Sequence, residues 1–286
     1  MLRHVPTPVR SALLRGPEHA VLGGIATISE VALAIALSQG GAAKRYHHRE
    51  PNEDFAGFAW SEWGAVLAVA DGHQGSDAAA LAIERALAHA PRWLERAPIA
   101  LDARFGTEAE ALVRGIHQQI VSQLAKTGAR TTLALALARP REGWLGLASI
   151  GDSLLFTHGP AGTRWIRGAE RADSTFLGTA RLEADDLAKA TFVDLRPLRG
   201  ERAVVLASDG FSQPGIGVAD PEKAIAQAAQ EAARAGAERA APALARGMVE
   251  RALESQKARR SGDNVAAAVL WLESWQATRS GPRSEP

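Results

Sequence analysis

The chain has 286 residues, 46% of them hydrophobic and 23% charged, which suits a globular protein built as one large domain or two small ones. A formal net charge of +1 excludes a strong overall pull toward nucleic acid or an anionic membrane. The absence of cysteine excludes disulfides, thiolate zinc sites and cysteine-nucleophile chemistry.

Residues 1–20 carry Pro6, Pro8 and Pro17 with no apolar period and are expected to form a loose leader. They hold no apolar segment of the secretory-signal type. The apolar stretch 21–37 is interrupted by Ser29 and Glu30 and falls short of the ~20 residues of a membrane span. A cytoplasmic location follows as an expectation. Residues 27–38 read as a first strand closed by Gly40-Gly41, and 55–60 and 65–70 as a hairpin around a polar turn. Residues 76–90 read as a helix capped by Ser76 or Asp77, with Pro91 just beyond it. Residues 108–126 form the clearest helix, with Leu112, Ile116, Ile120 and Leu124 on one side.

Strands are then predicted at 131–138, 144–150, 154–157 and 163–167, spaced too tightly for βαβ crossovers and therefore antiparallel. Residues 168–198 show no clear period and include the acidic Glu183, Asp185 and Asp186. A buried strand at 203–207, alanine-rich helices at 221–235 and 240–256, and a last strand at 265–272 complete a single domain over 21–275, with a disordered tail at 276–286. This order suggests an α+β fold of antiparallel sheets covered by helices rather than a doubly wound parallel sheet.

Four aspartates stand where an apolar run meets a turn: Asp71, Asp152, Asp209 and Asp263. A carboxylate at a buried strand end is costly to desolvate unless a cation or several donors compensate it. Each has a plain structural reading as well: Asp71 as a helix cap, Gly151-Asp152-Ser153 as a hairpin turn, Asp209-Gly210 and Gly262-Asp263 as ordinary turns. Upstream, Asn52-Glu53-Asp54 precedes a strand, and Arg49 has the fork geometry to hold phosphate oxygens. His73 can give or take a proton near neutrality. Hard oxygen ligands without cysteine favour Mg²⁺ or Mn²⁺ over zinc.

The ordered set Arg49…Asn52-Glu53-Asp54, Val69-Ala70-Asp71-Gly72-His73, Thr131-Thr132, Gly151-Asp152-Ser153, Ala207-Ser208-Asp209-Gly210 and Gly262-Asp263-Asn264 resembles the metal-dependent serine/threonine phosphatases of the PPM, or protein phosphatase 2C, type. The resemblance runs over roughly 26–271. It implies a four-layer α/β/β/α sandwich with two central antiparallel sheets flanked by helix pairs. It also implies hydrolysis of phosphoserine and phosphothreonine in proteins by a water activated between two Mg²⁺ or Mn²⁺ ions. Asp71 would bridge the ions, the Gly72 carbonyl would bind one, and Asp209 and Asp263 would bind the other. Glu53 and Asp54 would act through bound waters, Arg49 would clamp the phosphate, and His73 would be the general acid. Asp152 is the candidate ligand for a third ion.

A phosphoprotein substrate and a cognate serine/threonine kinase are the implied partners, with no role for nucleic acid or membrane. The chain departs from the pattern at Arg130, where a glycine is usual, at Leu154, where an arginine is usual, and at Gln213, where many members have an acid. Leu154, Gln213 and the compact stretch between Gly151 and Asp209 leave one alternative, a pseudophosphatase that binds a phosphoprotein or regulator without turnover, although the intact acids argue against it. A two-metal nuclease shares the carboxylates but predicts a basic channel that the near-neutral charge does not supply.

Overall fold

The structure, a computed structural model, describes residues 8–46, 48–95, 101–167 and 175–277. Two antiparallel sheets lie face to face. The first holds, side by side, β1 (Arg10–Arg15), β4 (Asp54–Ser61), β5 (Gly64–His73), β7 (Leu133–Arg139), β8 (Trp144–Ile150) and β11 (Phe192–Pro197), with the short β6 (Arg130–Thr131) on the end of β5. The second runs β10 (Gly162–Arg167), β9 (Leu154–Gly159), β12 (Ala203–Ala207), β13 (Val265–Trp271), β3 (Leu33–Ser38) and β2 (Ala26–Glu30).

Helices α1 (Asp77–Trp93) and α2 (Leu101–Leu124) cover the first sheet, and α4 (Pro221–Arg234) and α5 (Ala237–Arg259) cover the second. The short α3 (Ala184–Ala190) and α6 (Leu272–Ala277) complete the chain. This is the four-layer sandwich that the resemblance implies.

Strand alternation assigns each side chain to a layer. In β7, Leu133, Leu135 and Leu137 face α1 and α2, while Ala134, Ala136 and Ala138 face the other sheet. In β13, Val265, Ala267, Val269 and Trp271 face α4 and α5, while Ala266, Ala268 and Leu270 point between the sheets. Both faces are buried, so these strands read as continuous apolar runs without visible alternation. The alanines of α4 and α5 let helix backbones approach the second sheet closely. Truncating a leucine such as Leu135, which is 1% exposed, would cost about 2–5 kcal/mol.

Several expectations change. Part of the supposed leader is ordered: Arg10–Arg15 pairs with β4 from Arg10↔Trp60 to Arg15↔Phe55, and Leu14 is buried. It completes a sheet edge, a tertiary role that proline content does not reveal. The single strand expected at 27–38 is a hairpin, β2 and β3, turning at Val31 with φ 29°. Pro91 lies inside the last turn of α1 rather than beyond it. Ser76 makes no side-chain cap; its own N–H is taken by the Glu50 carboxylate at 3.2 Å. Within the stretch 168–198, Ala184–Ala190 is helical and Phe192–Pro197 pairs with β8. Positions 168–174, and 278–286 of the expected tail, lie outside the described residues.

Candidate metal centre

Chain direction brings the aspartates to one end of the sandwich. In the β4–β5 hairpin the first residue of β4 faces the last part of β5, so Asp54 sits directly across from Asp71. In the second sheet β12 ends where β13 begins, with Ala207 opposite Ala267, which sets Asp209 and Asp263 at the same edge. Gly151-Asp152-Ser153 is not the hairpin turn that its brevity suggests. It carries the chain from Ile150 of the first sheet to Leu154 of the second, across the mouth between them.

The glycines after two of the aspartates have a steric cause. A Cβ on Gly72 would stand 2.6 Å from the Glu53 carbonyl oxygen, and one on Gly210 only 1.9 Å from that of Asn264. Neighbouring backbone passes where a side chain would be.

Among the described residues, Asp71, Asp152 and Asp209 each offer a carboxylate oxygen within 4.8 Å of the others. Burial, followed by the charges of Asp54, Asp209 and Asp263, raises the Asp71 carboxyl well above its ordinary range. Burial and the charges of Asp263, Asp152 and Asp54 do the same to Asp209. Burial raises Asp152. Asp54 is pushed up to about 7 by burial, although the Ser208 hydroxyl donates to its Oδ2 at 2.6 Å. The Oδ1 atoms of Asp54 and Asp152 are buried without a hydrogen-bond partner.

Asp263 differs. It stands outside that group of three, and its Oδ1 accepts from the Tyr46 hydroxyl and from the Asn264 backbone N–H at 2.7 Å, with the Lys44 ammonium 3.6 Å away.

The paired threonines support Asp71 where the β5 ladder breaks. Its N–H donates to Thr132 Oγ1 at 2.9 Å, and its carbonyl accepts from Thr131 Oγ1 at 2.8 Å and the Thr132 N–H at 3.0 Å. Ser208 Oγ also accepts from the Ala266 N–H at 2.9 Å, joining the edges of the two sheets through Asp54. Asn264 pins the upstream loop: its Nδ2 donates to the carbonyls of Gln39 and Pro51, and its Oδ1 accepts from the Glu53 N–H. The buried Gln256 of α5 accepts from the Gly41 N–H at 2.7 Å and donates to the Gly210 carbonyl at 3.2 Å.

Glu53 is buried, and its Oε1 accepts from the N–H groups of Arg49, Glu50 and Gly75. That oxygen organises the loop. His73 Nδ1 lies 3.8 Å from Asp71 Oδ1, and its ring packs 4.5 Å from that of the buried Phe176. Burial lowers the His73 pKa, while Asp152 opposes the shift. The Arg130 guanidinium lies over the same Phe176 ring, 5.4 Å from its centre. Arg49 is exposed, its Cδ 3.7 Å from where a Cβ on Gly75 would stand, across the turn that follows His73. Gln213, one of the departures from the pattern, has its Oε1 buried without a partner.

Sequence reading therefore found the aspartates but missed Lys44, Tyr46, Ser208 and Phe176. Ser208 could have been found from its place in the Ala207-Ser208-Asp209-Gly210 motif.

The donor set fits a hard divalent cation. Three mutually repelling carboxylates, two orphaned carboxylate oxygens and no cysteine suit Mg²⁺ or Mn²⁺. Fold and site together define a metal-dependent phosphatase sandwich. A profile of the family described as Protein phosphatase 2C matches residues 42–248, well over half of the chain. The chain belongs to that family, the metal-dependent serine/threonine phosphatases.

Solved structures share the fold. Serine-threonine phosphatase 2C from Toxoplasma gondii superposes with a TM-score of 0.61 at 16% identity, covering 93% of this chain and 99% of that one. A bacterial serine phosphatase gives 0.61 at 15% identity, over 84% and 98%. The catalytic domain of the serine/threonine protein phosphatase PstP, crystallised with two manganese ions, gives 0.57 at 22% identity, over 86% and 99%. No curated protein matches the chain. No helix among the described residues is long and apolar enough to cross a membrane.

Proposed function

We propose that the protein hydrolyses phosphoserine and phosphothreonine in a protein substrate, with two Mg²⁺ or Mn²⁺ ions in the cleft at the sheet ends. The observation that carries this reading is the meeting of Asp71, Asp152 and Asp209 from strand ends of both sheets. When bound, the ions would supply Lewis acidity and a water of lowered pKa as the nucleophile. Asp71 and Asp209 would hold the ions, with the Gly72 carbonyl and Asp263 as further ligands. Asp152 is near enough to Asp71 and Asp209 to share an ion with them or to hold a third. Asp54 and Glu53 complete the inner wall of the cleft.

Arg49, exposed at the rim, orients the phosphoryl oxygens and offsets their charge. His73, between Asp71 and Phe176, supplies the proton that the departing serine or threonine oxygen takes up. Asp152 helps to keep that proton on the ring. A serine/threonine kinase acting on the same cytoplasmic substrates is the expected counterpart.

The test uses the purified protein with Mn²⁺ and a phosphothreonine peptide. Release of phosphate that stops in EDTA and in Asp71→Asn supports the reading. Full turnover in EDTA overturns it, and tight phosphopeptide binding without turnover at saturating Mn²⁺ replaces it with a binding role.

A further inference from the structure

The loop between β3 and β4 places a protein cation inside the cleft. The side chain of Lys44 is only 4% exposed, and its Nζ lies 3.6 Å from Asp263 Oδ1. The Tyr46 hydroxyl donates to the same oxygen, and Lys44 Nζ sits 5.3 Å from the Tyr46 ring centre. A buried ammonium is costly unless a nearby charge compensates it, so Lys44 and Asp263 hold each other in place. Among the described residues no lysine or arginine comes within ion-pair distance of Asp71, Asp152 or Asp209. The backbone carrying Lys44 is superficial: Ala43 and Arg45 are exposed, and Tyr46 is 44% exposed although its hydroxyl reaches inward. The Ala43 carbonyl accepts from the Gly262 N–H at 3.2 Å, so the loop backbone is held beside Asp263 and withdrawal would be a movement of the two side chains, with no strand displaced.

We propose that Lys44 and Tyr46 make the cation positions unequal: an ion enters among Asp71, Asp152 and Asp209 without displacing protein charge, whereas an ion at Asp263 binds only as Lys44 and Tyr46 leave. This rests on the divalent-cation reading of the centre. A divalent ion and an ammonium on one carboxylate oxygen repel each other at a separation of about 4 Å in a poorly screened site. The loop thus acts as a positioning device that sets the cation concentration at which the centre fills.

The experiment is a calorimetric titration of EDTA-stripped full-length protein with Mn²⁺, with free Mn²⁺ followed by its paramagnetic resonance. Wild type is expected to show a tight and a weak class of site. Lys44→Met should tighten the weak class by about tenfold and leave the tight class unchanged within a factor of about two. Tyr46→Phe, which keeps the ring and removes only the hydroxyl, should tighten the same class by a smaller factor. It carries the test if circular dichroism shows Lys44→Met to be misfolded. Equal affinities that neither variant alters overturn the proposal, as does loss of the weak class in Lys44→Met. A wild type that binds no Mn²⁺ instead overturns the divalent-cation reading on which the proposal stands.

Discussion

Asp71 and Asp263 are both strand-end aspartates of one cleft, yet the protein treats them differently. The backbone of Asp71 is fully engaged by Thr131 and Thr132 while its carboxylate stands among other acids. The carboxylate of Asp263 is met by an ammonium, a phenol and a backbone amide. A fold can hold a carboxylate firmly without neutralising it, and Asp71 is fixed in a place where its charge is unfavourable. The first sheet and the crossover thus supply rigid, uncompensated acid, and Asp263 supplies acid already in use.

The largest effect that would sharpen this contrast comes from Asp71→Asn. Activity with Mn²⁺ should fall by at least about a thousandfold. In EDTA the same variant should melt at a higher temperature than wild type, because it removes one of several repelling charges. A lower melting temperature in EDTA would break the contrast.

Next is the dependence on pH. Burial raises Asp71, Asp209 and Asp54 in the folded protein, Asp54 from 3.8 to about 7. Groups raised in this way contribute stability that is fully present below their unfolded pKa and lost as pH rises through the folded value. The melting temperature in EDTA should therefore drop between about pH 4 and pH 8, and saturating Mn²⁺ should flatten that slope.

Gly210→Ala should destabilise by about 3 kcal/mol in urea titrations, since its Cβ would stand 1.9 Å from the Asn264 carbonyl oxygen. Ser208→Ala should cost about 2 kcal/mol, leaving Asp54 Oδ2 and the Ala266 N–H without their shared hydroxyl.

The acids were legible because each interrupts an apolar run beside a glycine or asparagine, a break that local sequence displays. The alanine-rich helices were legible for a similar reason, with Pro221 opening α4 and Gly236 dividing α4 from α5. What stayed hidden depends on partners distant in sequence. Arg10–Arg15 becomes a strand through β4 some 45 residues on, as its register with residues 55–60 shows. Ala184–Ala190 buries only Leu187, too little apolar surface to impose a helical period. At the start of α1, the Ser76 N–H donates to Glu50 from 26 positions away, a contact that local sequence does not show. Nothing near residues 150–154 states which sheet the next strand joins. Lys44 and Tyr46 lie in a loop without period, and only the packed structure brings them to Asp263.

The amide of Gln256 has a mechanical consequence. One side chain grips the turn at Gly41, which leads to Lys44, and the turn at Gly210, which follows Asp209. Both turns follow strands of the second sheet, β3 and β12, so α5 is a common anchor for one side of the cleft. Shortening that one side chain, as in Gln256→Ala, would untie the approach to Lys44 and the turn after Asp209 in a single stroke.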